Sequence, residues 1–412
     1  MKLLTDITPL RESPAFRRLW IGTMLSNVGT AMTSFANTLQ VWDATHSTAA
    51  TGAIAVASLI PLLVIALPGG SLADTVDRRK LVLVMTACST VVSALFFVNA
   101  LLTGTAVGWI WVVYALVAVA SAIGAVNQPA RQTFIRALVP GDQLPAAMAL
   151  NRIAFQTMLI AGPALAGVVS GAFGVKGCYL IDVLSFAGSF YGVGRMPAQP
   201  PSDRGDSPSR SQLSLLREGL GYIGRNRILA GAFIADVNAT FFALPVSLFP
   251  AINTERFGGD PRTLGLFTAA IGAGGMVTAV CAGPVRKWTR HGVAMLVAVS
   301  VWGAGFAVFA VAPSLWLTLL ALAVAGGADT FTVIFRGIIV QRVTPEEFRG
   351  RVNAADFVVG AGGGQLGSLE SGLVGAVASP EISALAGGLL TIAGAFAIAG
   401  ALPAFRRYRD TE

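Results

Sequence analysis

The sequence predicts an all-α integral membrane protein with twelve transmembrane helices in two pseudo-symmetric six-helix bundles. Three observations lead there: a scarcity of charge, a regular recurrence of long apolar runs, and a repeat that relates the two halves. Of the 412 residues, 54% are hydrophobic and only 12% are charged. Soluble domains carry about 25% charged residues. The apolar runs are also far longer than the roughly 4–8 residues of a buried strand, and a run of about 20 suffices to cross a bilayer as a helix.

Taken in order, the apolar runs predict spans near 16–42, 49–73, 81–103, 106–128, 146–172 and 177–196, then 228–252, 263–285, 292–312, 314–340, 352–378 and 382–405. Charge tests the count. With both termini inside, only Lys176, Arg256 and Arg262 of the 29 Lys and Arg fall on outer loops, the asymmetry that the positive-inside rule demands. The net charge of +8 therefore reads as topology-setting cations beside an anionic leaflet rather than as a nucleic-acid surface. The expected location is the plasma or inner membrane. The first twenty residues lack the apolar core of a signal peptide.

Between the two sets of spans, residues 198–212 are rich in Pro, Ser and Gly and predict a flexible linker. After it, Leu213, Leu216, Leu220 and Ile223 recur at helical spacing among Arg217, Glu218 and Arg225, which predicts an amphipathic helix on the inner leaflet. The expected organisation is a six-helix bundle over 1–197, a cytoplasmic linker with its helix over 198–224, and a second six-helix bundle over 225–412. The halves are similar residue by residue. Arg131, Pro140, Asp142, Asn151 and Gly162 align without gaps with Arg336, Pro345, Glu347, Asp356 and Gly367, at an offset of 205 residues (336 − 131). Two parallel repeats predict a two-bundle secondary transporter whose site lies near mid-membrane.

The turn between spans 2 and 3 reads Gly69-Gly-Ser-Leu-Ala-Asp-Thr-Val-Asp-Arg-Arg-Lys80. It resembles the pattern G-x-L-a-D-R/K-x-G-R-R/K of the major facilitator superfamily. Gly70, Leu72, Ala73, Asp74, Arg78 and Arg79 match, whereas Thr75 and Asp77 depart from it. The runs Asn127-Gln-Pro-Ala-Arg-Gln-Thr-Phe-Ile-Arg, Leu144-Pro-Ala-Ala-Met-Ala-Leu-Asn and Gly162-Pro-Ala-Leu-Ala-Gly resemble one branch of it, which holds the enterobactin exporter and macrolide-efflux proteins. The resemblance implies an exporter of an amphipathic small organic molecule, siderophore or drug, working by alternating access in exchange for protons. Uptake or facilitated diffusion of a small metabolite shares the fold and stays open. A non-transporting sensor or scaffold stays open as well, though such a protein would usually carry a soluble signalling domain. An enzyme is not expected, since no Walker A, zinc spacing or nucleophile–base set is present. Cysteines 88, 178 and 281 and the two histidines suggest neither a disulfide framework nor a metal site. No cofactor is expected. The predicted partners are a small-molecule substrate, protons and membrane lipid, with a monomeric chain and no nucleic acid.

An ionised side chain at the centre of a spanning helix costs ~2.5–3.5 kcal/mol on insertion scales, so intramembrane acids are functional candidates. Asp236 on span 7 lies near the midplane and Asp329 on span 10 in the inner half; both are candidate proton or substrate sites, or else neutral helix-packing groups. Glu370 on span 11 is balanced between the two. Asp182 on span 6 is read as structural. Candidate polar and aromatic groups for an amphipathic ligand are Asn27, Ser121, Tyr114, Asn238 and Phe241. By resemblance, Gly70, Asp74, Arg78 and Arg79 form a conformational latch against the start of span 11. Arg131 and Arg336 are either further latch partners or plain inner-face anchors. Gly162, Pro163 and Gly167 resemble the glycine–proline motif of antiporters and predict a bend in span 5; the span-4 arginine of many proton antiporters is absent. Gly362-Gly-Gly-Gln-Leu-Gly367 fits a dinucleotide fingerprint but sits inside an apolar span with no strand before it. It reads instead as small-residue helix packing.

Overall fold

The structure is a computed structural model that describes residues 6–103, 107–196, 212–283 and 288–409, with the side chains of 66–75, 107, 132, 133, 136, 137 and 212 left undescribed. The described residues are helical and contain no strand. Nine helices among them are long and apolar enough to cross a membrane. Three further long helices, α2 (Pro14–Thr45), α7 (Val175–Gly194) and α14 (Glu346–Val377), carry more polar groups, and several of these find partners inside their own unit. The chain divides into two compact units, Met1–Thr45 with Ala57–Ser207, and His46–Val56 with Pro208–Glu412.

The first unit holds the short α1 (Thr8–Glu12), α2, most of α3 (Thr48–Thr75), α4 (Arg78–Thr103), α5 (Ile110–Leu138), α6 (Leu144–Phe173) and α7. Apolar burial cannot by itself select one helix pair over another in a hydrocarbon solvent, so close backbone approach decides. Gly22 on α2 meets the backbone of α7 so tightly that a Cβ there would lie 2.5 Å from the Gly188 carbonyl oxygen. On the other side of α2, Gly162 packs on Ala31, next to Pro163 inside α6. Toward the other end of α2, buried polar groups lock the bundle. The Tyr179 hydroxyl reaches Gln40 Oε1 (2.7 Å) and Asn37 Oδ1 (3.0 Å), and Gln40 Nε2 donates to Asn99 Oδ1 at 3.2 Å.

The second unit holds α8 (Gln212–Arg225), α9 (Arg227–Phe242), α10 (Phe249–Phe257), α11 (Pro261–Cys281), α12 (His291–Val311), α13 (Leu315–Val343), α14, α15 (Pro380–Ala401) and α16 (Pro403–Arg406). The seventh span is broken. α9 stops at Phe242, a 3-10 turn Val246–Leu248 follows, and α10 completes the crossing; Pro245 and Pro250 remove the hydrogen bonds that would have continued the helix. Asn226, Asp260, Ser314 and Ser379 cap α9, α11, α13 and α15 by accepting first-turn N–H groups. Phe249, Phe267, Phe306 and Phe309 form a buried edge-to-face aromatic cluster. Gly363 and Gly367 of α14 pack against Thr240 and Phe241 of α9, as small-residue packing requires. The amphipathic α8 docks on the start of α14, with Tyr222 stacked on Phe348 at 4.5 Å and Glu218 3.0 Å from Arg351.

Residues 46–56 also belong to this second unit. Thr48 Oγ1 donates to the Gly372 carbonyl and Thr51 Oγ1 to the Ser247 carbonyl, both at 2.8 Å. The first turns of α3 are thus part of the second unit, and its remainder part of the first.

Candidate functional site

Each unit contains one buried charged centre, and the two are built differently. In the second unit, Arg336 on α13 reaches two acids on two other helices. Its Nη1 donates to Asp236 Oδ2 on α9, and its Nε lies 3.3 Å from Asp356 Oδ1 on α14. The Asp236 side chain is 4% exposed, that of Arg336 11% and that of Asp356 36%. With all three ionised, one cation faces two anions. A buried charge is tolerated when it is paired and hydrogen-bonded, and Arg336 supplies both for Asp236. Sequence reasoning singled out Asp236 and Arg336 in separate roles; the structure joins them and adds Asp356.

In the first unit, Asp182 on α7 is 1% exposed and is surrounded by hydroxyls. Its Oδ2 accepts from Ser93 Oγ (2.6 Å) and Thr33 Oγ1 (2.8 Å), and its Oδ1 from Thr30 and Ser185 at 3.5 Å. Gly29 makes room for it, since a Cβ there would stand 2.7 Å from Oδ1. Arg131 on α5 donates to Thr23 (3.2 Å) and, at 3.3 Å each, to Asn127, Thr86 and Ser189. Asp182 and Arg131 line one cavity of about 130 Å³, with Asn27, Ser89 and Asn127 among the groups between α2, α4, α5 and α7.

The remaining candidates fall as follows. Asn238 is buried and donates to the Thr391 carbonyl at 2.9 Å, joining α9 to α15. Ser121 donates to the Ser58 carbonyl. Phe241 stacks edge-on with Phe242 at 5.1 Å. Tyr114, Asp329 and Glu370 are half-buried, and the Glu370 carboxylate has no hydrogen-bond or ion-pair partner among the described residues. Of the turn between α3 and α4, the side chains of Gly70 and Asp74 lie outside the described ones. Arg78 is half-buried, and Arg79 Nη2 donates to the Gly194 carbonyl at the end of α7. Gly162 and Pro163 are buried within α6, as is Gly167.

Sequence reasoning named no large cavity of the second unit. One of about 700 Å³ lies between α11, α12 and α13, walled by Val277, Val297, Val301, Val324 and Phe331. Its size is that of a small-molecule pocket, but its wall lacks the convergent polar groups that fix an orientation.

A family model described as transmembrane secretion effector matches residues 4–410. The enterobactin exporter EntS of Citrobacter koseri (strain ATCC BAA-895 / CDC 4225-83 / SGSC4696) is 25% identical over 410 residues, 99% of this chain and 96% of that protein. EntS of Escherichia coli O1:K1 / APEC is 25% identical over 414 residues, again 99% and 96%. The fold is shared with a POT family transporter in complex with 5-aminolevulinic acid (TM-score 0.74, 11% identity, 95% of this chain and 97% of that one). It is shared also with the nucleoside transporter NupG (TM-score 0.70, 16% identity, 94% and 98%).

Proposed function

The chain belongs to the transmembrane secretion effector family of the major facilitator superfamily, a family of multi-pass membrane transporters and not of enzymes, and from that premise we propose that it exports an amphipathic small organic molecule, a siderophore or a drug, by alternating access in exchange for protons. It does so from the inner membrane, as a monomer with both termini cytoplasmic. The observation that carries the reading is the Asp236–Arg336–Asp356 cluster, which joins α9, α13 and α14. Each ionised group in a span is costly, and a cation that faces two acids leaves one negative charge that a proton can neutralise. Export as the direction is supported by end-to-end similarity to proteins named as exporters.

In this reading Asp236, Asp329 and Glu370 serve protons or substrate, Glu370 with the least encumbered carboxylate. Asn27, Ser121, Tyr114, Asn238 and Phe241 contribute polar and aromatic contacts. Gly70, Asp74, Arg78 and Arg79, with Arg131 and Arg336, form a conformational latch, and Gly162, Pro163 and Gly167 let the fifth span bend. The test is uptake of labelled enterobactin and of a macrolide into inverted membrane vesicles with and without the protein, energised by an inward-acid pH gradient. Protein-dependent accumulation that a protonophore abolishes is the expected result. Accumulation indifferent to the gradient would end the antiport reading, and Asp236→Asn with full transport would remove Asp236 from the mechanism.

A further inference from the structure

We propose that Asp182 is a proton-exchange site inside the first unit, served by the small polar cavity it shares with Arg131. An ionised carboxylate only accepts hydrogen bonds, whereas a protonated one both donates and accepts. A guanidinium only donates, so Arg336 favours the Asp236 anion, and a proton taken up there has to displace that bond. A hydroxyl donates or accepts according to how its hydrogen rotates. Ser93 and Thr33 bond the Asp182 carboxylate at 2.6 and 2.8 Å, with Thr30 and Ser185 farther off at 3.5 Å and the Ser185 hydroxyl also donating to the Asp182 backbone carbonyl at 2.7 Å. Asp182 can therefore gain or lose a proton by hydroxyl rotation, without displacement of a heavy atom.

Among the described residues no ion pair commits Asp182 to one state. The titratable and charged groups around it are Arg131 on α5 across the cavity, and Cys178 and Tyr179 one turn earlier on α7. Tyr179 is engaged with Asn37 and Gln40, and Cys178 Sγ with Ser170. From α2, among the described residues, the groups bonded to Asp182 are the uncharged hydroxyls of Thr30 and Thr33. The proton also needs a route. The cavity of about 130 Å³ is well above the roughly 10–15 Å³ that a single water needs by the same measure, so it has room for several waters. Asn27, Ser89, Thr30 and Asn127 supply the polar partners that hold water in such a space. Arg131, held by neutral oxygens alone, is a permanent cation beside this route and opposes onward passage of a proton. The volume is below the several hundred Å³ of a drug-sized ligand pocket, so the cavity accommodates water and protons, not the exported molecule.

The proposal deepens the antiport reading but is tested without transport or substrate. Purified full-length protein in lipid nanodiscs is titrated while the protonated-carboxyl band is followed by infrared difference spectroscopy. The expected result is a pH-dependent band present in the wild type and in Asp236→Asn, and lost in Asp182→Asn. Ser93→Ala and Thr33→Val, which keep the acid but remove its strongest donors, are expected to displace the midpoint by about one pH unit, which corresponds to 1.36 kcal/mol of differential interaction. An unchanged spectrum in Asp182→Asn, or a midpoint indifferent to both hydroxyl variants, overturns the proposal. So does replacement of choline by sodium at constant ionic strength if it displaces the band, because the site is then a sodium site. A titrating Asp182 in a protein whose transport ignores the pH gradient would leave this site standing and defeat the antiport reading alone.

Discussion

The two units place an arginine at the same point of the repeat and then treat it in opposite ways. Arg131 in the first is bound by Thr23, Thr86, Asn127 and Ser189, all neutral. Arg336 in the second is bound by Asp236 and Asp356. The principal acid of the first unit, Asp182, lies instead among hydroxyls. The repeat thus places a cation at the same helical position in both halves, with different counter-groups around it. A charge paired with an opposite charge changes state only when the pair parts, whereas one solvated by hydroxyls can change state in place.

The largest effect that can break this comparison is expected in the second unit. Asp236→Leu removes the deeper partner of Arg336 and leaves the guanidinium with the more exposed Asp356. Losing one member of a buried pair costs roughly 3–5 kcal/mol, mostly from the orphaned charge. Thermal unfolding in detergent is expected to show that loss, and Asp236→Leu combined with Arg336→Met to recover most of it. A double variant as unstable as the single would mean that packing, not charge, dominates at this site.

In the first unit the matching deletion is expected to be milder. Arg131→Met removes four hydrogen bonds but orphans no countercharge, and the oxygens left behind can bond to one another or to water in the cavity. Each bond to a charged group is worth ~1.5–3 kcal/mol in isolation; with such rearrangement the net loss is expected to be about 1–3 kcal/mol. A loss equal to that of Asp236→Leu would show that Arg131 and Asp182 interact as a charge pair across the cavity, and would erase the contrast between the units.

Much of the architecture was legible along the chain because membrane folding writes itself locally. Apolar runs, cations beside them and the 205-residue offset require no knowledge of tertiary contacts. The break in the seventh span was also written, in Pro245 and Pro250, although the run there read as one helix. The candidate site was harder because its contacts are remote. Asp236 and Arg336 are 100 residues apart, Asp182 and Thr33 149, and Asp182 and Ser93 89. From the sequence, Asp236 reads as a candidate proton or substrate site and Asp182 as structural; the structure pairs Asp236 with Arg336 and surrounds Asp182 with hydroxyls. One signal for Asp182 was present, the Gly29, Thr30 and Thr33 cluster on α2, which leaves space and hydroxyls for a side chain from another helix. That residues 46–56 belong with the second unit has no sequence signal at all, since Thr48, Thr51 and Gly52 act there through backbone carbonyls and close packing.

The smallest effect sharpens the comparison at the second unit's periphery, where pairing is not buried. Arg256 on α10 lies 3.6 Å from Glu381 at the start of α15, with side chains 21% and 30% exposed. The same guanidinium donates to the carbonyls of Phe309, Ala310 and Ala312 at the end of α12. Half-exposed ion pairs of this length are worth ~0–1 kcal/mol, whereas the three carbonyls would otherwise be unsatisfied helix-end acceptors. Glu381→Gln is therefore expected to change unfolding by less than ~1 kcal/mol, and Arg256→Met by more, about 1–3 kcal/mol from the acceptors it abandons. Differential scanning of the two variants in one detergent separates the terms. If Glu381→Gln costs as much as Arg256→Met, charge pairing matters at the rim as it does at Arg336, and the second unit is held by ion pairs throughout.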